Sequence, residues 1–268
     1  MAIQKGKYLQ GALGDFVYKI VRGRQIVCSR PVPGTMHQTI ATINASNTFG
    51  MAASLGSSIR NSLAGRINGY GDGEMTNRLS SIVYKTLADC RDSETRLYSF
   101  EEDSFSNLEG FEFNIRSVLD YQLSNTTMAD HSDGILSVAI PELMIDKELK
   151  FPVQTYQCKI LVNLSCFRLG EGLMAKDPDS QILTVNRDEK ILEDQTLRFE
   201  IPDGCLCIVS IFLEYANYGI DISPVINHKN FNPGRIIKAF LTPGTYQKND
   251  SRNWIGMKQF KFSNRQAD

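Results

Sequence analysis

Between Arg30 and Arg60 the sequence has no Asp, Glu, Lys or Arg. A helix lying on a protein surface normally wets one face with charge, so this stretch is not patterned as an ordinary solvent-facing helix. It is also too polar to cross a membrane, and no run of about 18 apolar residues occurs anywhere in the chain, so membrane insertion is not expected. Histidine is scarce: His37, His131 and His228 are the only three, far apart and without a metal-type partner at helical or Cys-x-x-Cys spacing. There is no G-x-S-x-G, no Walker A loop and no G-x-G-x-x-G following a strand. No cofactor, no metal and no catalytic residue is therefore expected, and an enzyme is not the expected class. Net charge is −1, so no overall field recruits nucleic acid or an anionic membrane.

The cysteines do not form a disulfide-type framework. Cys28, Cys90, Cys158, Cys166, Cys205 and Cys207 are scattered among apolar neighbours, as reduced core thiols are. Cys205 and Cys207 sit two apart on a strand pattern, which points to a buried pair rather than a metal site. The opening MAIQKGKYLQG has no apolar h-region or cleavage site. Synthesis in the cytoplasm without a Sec signal is expected, with leaderless export or release by lysis left open.

What is present divides the chain in two. Residues 16–21 and 25–29 read as a β-hairpin about Arg22-Gly23, with Gly11 and Gly14-Asp15 as turn residues before it. Met36, Ile40, Ile43, Met51, Leu55, Ile59 and Leu63 then trace one face of a long helix. Beside them runs a second ridge of small residues, Ser46, Gly50, Ser54 and Ser58, spaced to let another backbone approach. Gly69-Tyr70-Gly71-Asp72-Gly73 reads as a flexible connector to a second helix carrying Met75, Leu79, Ile82, Val83 and Leu87. After Arg91 come short strands and turns: residues 110–115, 134–140, 156–166, 197–201, 205–213, 236–241 and 254–262. The fold class expected is α+β: an N-terminal β-hairpin plus helical hairpin (1–95), then a C-terminal antiparallel β-sandwich of Ig-like type (96–268).

Polar clusters read as turns. Asp130-His131-Ser132-Asp133 holds triad-type residues, but as four neighbours ahead of Gly134 rather than converging from separate elements. Glu101-Glu102-Asp103 lacks the spacing of a calcium loop and reads as a solvated turn. The hairpin is the one basic region: Lys5, Lys7, Lys19, Arg22, Arg24 and Arg30 face only Asp15, with Tyr8, Phe16 and Tyr18 interleaved. Cations and aromatics on a ribbon suit nucleic acid, yet a charged, partner-facing edge explains them better in a chain with no net basic charge.

Several N-terminal words resemble a group of Bacteroidota proteins with no established activity. They are MAIQKG, Gly11-x-x-Gly14-Asp15, Phe16-x-Tyr18-Lys19, Arg30, and a helix with Phe49-Gly50 and Ala52-Ala53. In longer members a β-rich region carries a motif like Gly110-Phe111-Glu112-Phe113-Asn114. The resemblance covers about the first 90 residues and implies lineage, a hairpin followed by helices, and no functional residue. Residues 24–30 are more apolar here than in the group.

Taken together, these features predict a non-enzymatic structural subunit whose partners are copies of itself. A two-stranded ribbon is marginal alone and needs completing, and a neighbour's sheet can do that by β-augmentation. The expected self-assembly interface is Phe16, Tyr18, Ile20 and Ile26 on the hairpin with Ser46, Gly50, Ser54 and Ser58 on the helix. The alternative is a binding module whose sandwich face takes a glycan or protein ligand on Tyr215, Tyr218, Tyr246 and Trp254.

Overall fold

The structure is a computed structural model and describes residues 2–21, 23–30, 32, 39–124, 127–217, 225–246, 250–258 and 260. Its contacts divide the chain into two compact units, Met1–Ser46 and Asn47–Asp268.

The first unit is built on a four-stranded antiparallel sheet in chain order: β1 (Ile3–Lys5), β2 (Tyr8–Leu13), β3 (Phe16–Val21) and β4 (Arg24–Ser29). The expected hairpin is β3–β4, paired from Phe16 with Ser29 to Val21 with Arg24. What reads as a lead-in is two more strands. Pairing of Lys5 with Tyr8, and of Leu13 with Phe16, leaves two residues in each turn, and Gly6 and Gly14 supply the positive φ those turns need. β2 pairs β3 only over Gly11 to Leu13, and Gly11 itself has φ 115°. Beyond that bend the Gln25 carboxamide stands in for a missing strand. It accepts from the Leu9 N–H at 3.0 Å and donates to the Leu9 carbonyl at 2.7 Å.

The uncharged stretch does form a long helix, α1 (Ile40–Ser62), followed by one turn, α2 (Ala64–Ile67), and by α3 (Met75–Asp89). Thr39 caps α1, its hydroxyl accepting from the Thr42 N–H at 3.2 Å. The remaining elements are β5 (Met128–Ser132), β6 (Ile135–Ile140), β7 (Leu143–Met144), α4 (Ile145–Glu148), β8 (Gln157–Arg168) and β9 (Leu173–Ala175). After them come β10 (Asp179–Asn186), β11 (Ile191–Leu192), β12 (Gln195–Glu200), β13 (Leu206–Ala216), β14 (Gly234–Leu241) and β15 (Trp254–Gly256).

One large sheet runs β14-β13-β8-β9-β15, with β10 also on β8. A smaller one runs β12-β6-β5, and β7 pairs β11. Alternation along β8 and β13 sends side chains to two cores. Leu161, Phe167, Leu206, Ile208 and Phe212 join Leu55, Ile59, Leu79 and Val83 of the helices. Ile160, Val162, Leu164, Val209 and Ile211 join Leu136, Val138, Leu197 and Phe199 of the smaller sheet. The second unit is therefore three layers: helices, large sheet, small sheet. The α+β class holds, and two sheets do face each other across a core. The Ig-like form does not carry over whole, because the larger sheet has its other face under helices.

Two close approaches depend on glycine, one between the helices and one within the large sheet. A side chain at Gly56 would meet Ser80 of α3 at 3.4 Å, so small residues bring α1 and α3 together. In the large sheet Gly234 lies opposite Phe212, whose ring occupies the space a β-carbon would need, 2.2 Å away.

Residues 110–115 do not form the expected strand. They run beside β14 with a single bridge, Glu112 to Arg235, and are held by the Phe113 N–H on the Gly234 carbonyl at 2.9 Å. The expected final strand is limited to β15, with residues 259 and 261–262 outside the described residues.

Candidate functional site

The site proposed from the sequence falls into pieces with different fates. Directly opposed residues of antiparallel strands share a face, and so do residues two apart. Phe16, Tyr18 and Ile20 therefore lie on one face of the first sheet with Leu13, Val27 and Gln25. That face carries no charged residue over these positions. Ile26, opposite Lys19, is on the other face with Val17, Cys28 and Arg24. The four hairpin residues are thus divided three to one.

None of the described residues of Met1–Ser46 is buried. Leu13 is 53% exposed, Phe16 52% and Val27 51%, although together with Tyr18 they form an apolar row across three strands, Leu13 opposite Phe16 and Val27 opposite Tyr18. On the opposite face Ile26, beside Lys19, is exposed as well. At about 25 cal/mol per Å², leaving several large apolar side chains in water forgoes a few kcal/mol, which is large beside the stability of a small sheet. Tight Gly-centred turns and the Gln25 bridge hold the ribbon's shape, while packing contributes little inside it.

The small-residue ridge on α1 is also divided. Ser54 and Ser58 are buried within the second unit. The Ser54 hydroxyl donates to the carbonyl of Lys258, and that of Ser58 donates to the Ser54 carbonyl at 3.0 Å. This half of the expected interface is covered by the chain itself, by a segment distant in sequence that no local pattern announces. Ser46 and Gly50 are exposed, and none of the described residues lies within 4 Å of where a side chain at Gly50 would start. The exposed end of α1 also bears Ile40, Ile43 and Phe49.

Elsewhere the titratable groups hold structure together. Asp72, in the connector read as flexible, is buried. It accepts from the Glu74, Met75 and Ile115 N–H groups at 2.8, 2.7 and 3.1 Å and from Arg78 at 2.5 Å. Burial alone would raise its pKa, but these hydrogen bonds and the Arg78 charge outweigh it and hold the carboxyl below its ordinary value. Glu112 goes the other way: burial raises its pKa, and the Arg235 guanidinium at 2.6 Å only partly offsets this. Cys166 and Cys207 are directly opposed on β8 and β13 and fully buried. Burial pushes the Cys205 thiol up to about 12, which leaves it without nucleophilic character at neutral pH.

The triad-type residues belong to a hairpin, with β5 and β6 joined at Asp133-Gly134, both at positive φ. His131 stacks on Phe240 and meets Glu102 at 3.2 Å; His228 accepts from the Asn230 N–H at 3.2 Å; His37 lies outside the described residues. Among the described residues no group of His, Cys, Asp and Glu is arranged to hold a metal ion. No helix of the described residues is long and apolar enough to cross a membrane.

Among the described residues a concavity of about 410 Å³ is lined by Tyr98, Phe100, Glu101, Glu102, Leu169 and Thr242 among others. Tyr98 and Phe100 stack there at 6.1 Å. Of the aromatics expected to stack a ligand, Tyr215 is fully buried with its hydroxyl donating to the Lys150 carbonyl. Tyr246 and Trp254 pack edge to face with Arg168 over both rings, and Tyr218 lies outside the described residues. Neither a protein-family model, nor a curated protein, nor a solved structure matches the chain.

Proposed function

We propose that the protein is a non-enzymatic structural subunit that associates with copies of itself through its N-terminal sheet and the uncharged start of α1. One observation carries the reading: Met1–Ser46 has no buried residue among those described, yet presents Leu13, Phe16 and Val27 as one apolar row. A sheet with an apolar face gains its stability by covering that face. Another copy is the partner always present at matching concentration, and self-contact yields rings or filaments according to whether it closes. The interface so reduced is Phe16, Tyr18 and Ile20 with Leu13 and Val27, together with Ser46 and Gly50; Ser54 and Ser58 belong to the chain's own packing.

Negative-stain microscopy of the full chain beside Phe16→Asp/Val27→Asp tests this. Rings or fibres should form from the parent and vanish in the variant, with the circular dichroism of the second unit kept. Equal assembly by both would refute it.

A second reading, a module that binds a glycan or a protein, is favoured by the concavity with its stacked Tyr98–Phe100 pair. It predicts a glycan-array or pulldown signal that Tyr98→Ala/Phe100→Ala abolishes while Phe16→Asp leaves it intact. A signal indifferent to the aromatic substitutions would remove it.

A further inference from the structure

Strand edges in the second unit are not treated alike. The β14 edge of the large sheet is covered by the chain itself. There the Gly110 and Phe113 N–H groups donate to the Ile236 and Gly234 carbonyls at 2.8 and 2.9 Å. In return the Ile236 and Leu241 N–H groups donate to the Phe111 and Glu102 carbonyls. The β12 edge of the small sheet is capped by side chains, Gln181 and Arg252 donating to the Arg198 and Glu200 carbonyls. β10, on the side of β8 away from β13, has no such cover. The Arg187 N–H bonds the Tyr156 carbonyl just beyond the β8–β10 ladder, which fixes the alternation along it. The N–H and C=O groups of Ser180, Ile182 and Thr184 therefore point away from β8, and among the described residues they have no partner. β10 also runs eight residues in unbroken register without Lys, Arg, Pro or a bulge, the devices that keep an edge from accepting another strand. At its middle Ile182 is 50% exposed. The ribbon has an open edge of its own in β4, the last strand of its sheet. Its Arg30 N–H donates to the Asp15 carbonyl at 2.6 Å, so by the same alternation the backbone groups of Gln25, Val27 and Ser29 point outward.

We infer that β4 of one copy pairs antiparallel with β10 of a second copy, Val27 opposite Ile182. This rests on the self-association reading and names the strand that the ribbon meets. Outward-facing groups must oppose each other, so allowed registers differ by slides of two residues. With Val27 opposite Ile182, Ile26 meets Leu183, while Gln25 meets Thr184, Cys28 meets Gln181 and Ser29 meets Ser180. Apolar residues then oppose apolar ones on both faces, and no charge is enclosed over these five pairs. A slide of two residues one way sets Arg24 against Arg187. The other way sets Val27 against Ser180 and Ile26 against Gln181. Backbone hydrogen bonds supply the attraction, as in other strand additions, and the side-chain match fixes the register. Donor and acceptor strands differ, so the contact is heterologous and each copy keeps one of each to continue a ring or filament.

Cys28, exposed on β4, supplies the probe. In this register it lies opposite Gln181 at a non-hydrogen-bonded pair, where Cα atoms stand about 4.5 Å apart and a disulfide can form. Gln181→Cys in the full chain, oxidised, should give a ladder of dimers and higher multiples on non-reducing gels. Adding Cys28→Ser should abolish the ladder. Ile182→Cys, whose side chain lies on the other face of β10, should cross-link at least roughly tenfold less. Ile182→Pro tests the backbone independently. The Ile182 N–H points away from β8, so proline leaves that ladder intact and should weaken association at least roughly tenfold in sedimentation velocity, with circular dichroism unchanged. Equal cross-linking by Ile182→Cys, a ladder that survives Cys28→Ser, a disulfide closed within one chain, or parental association by Ile182→Pro would overturn the strand pairing. So would a Gln181→Cys chain that forms no ladder although the parent sediments as an oligomer, and self-association would then stand without this contact. A parent that stays monomeric, with no ladder from Gln181→Cys, refutes both.

Discussion

At the scale of single residues, Asp72 shows how position overrides composition. Gly69 to Gly73 reads in sequence as a loose linker, and its glycines do take turn conformations at Gly69 and Gly73. What the spacing hides is that Asp72 ties α3's first turn, Ile115 and Arg78 into one knot. Asp72→Ala should cost about 2 kcal/mol in urea unfolding, combining a lost helix cap with an unpaired Arg78. Because the folded carboxyl has a lowered pKa, its contribution is complete above the unfolded value of about 3.9 and fades as pH falls through the folded one. The stability gap between parent and Asp72→Asn should therefore be constant at neutral pH and shrink in acid; a gap that grows in acid would contradict this. Gly234→Ala should destabilise by about 1–3 kcal/mol, since the fully packed Phe212 ring has to leave its place.

At the scale of elements, local periodicity carried much of the reading and long-range coverage did not. α3 is legible from Met75, Leu79, Val83 and Leu87, all buried, and β8 from the apolar residues at every second position from Cys158 to Cys166. The alternation at residues 110–115 does not become a strand, because its ladder toward β14 closes at only one bridge. The two extra N-terminal strands had a signal in Gly6-Lys7 and Gly14-Asp15, two-residue turns of hairpin type, as did β5 in Asp133-Gly134. Nothing near Ser54 or Ser58 in sequence reports that the Lys258 carbonyl covers one end of their ridge, so the ridge looked uniform when it is half buried.

That division yields a clean pair of variants. Gly50→Ala should raise the melting temperature, stabilising by up to about 1 kcal/mol through helix propensity, because none of the described residues opposes the added methyl. Ser54→Leu should lower it by displacing the Lys258 segment. A loss of assembly in Gly50→Ala despite higher thermal stability would mark the exposed half of α1 as a contact between copies. Unchanged assembly would confine the contact to the sheet.

At the scale of the whole molecule, the two units differ in kind. Asn47–Asp268 is a layered body with two hydrophobic cores, whereas Met1–Ser46 holds a ribbon shaped by turns and one glutamine bridge, with its apolar row in water. The uncharged stretch joins these themes: its first turns are exposed and its later turns are core. Light scattering on the full chain across a concentration series measures the consequence most directly. The account predicts a mass well above 30.1 kDa that climbs with concentration and returns to 30.1 kDa in Phe16→Asp/Val27→Asp. A parent that holds 30.1 kDa at the highest concentration attainable would contradict it.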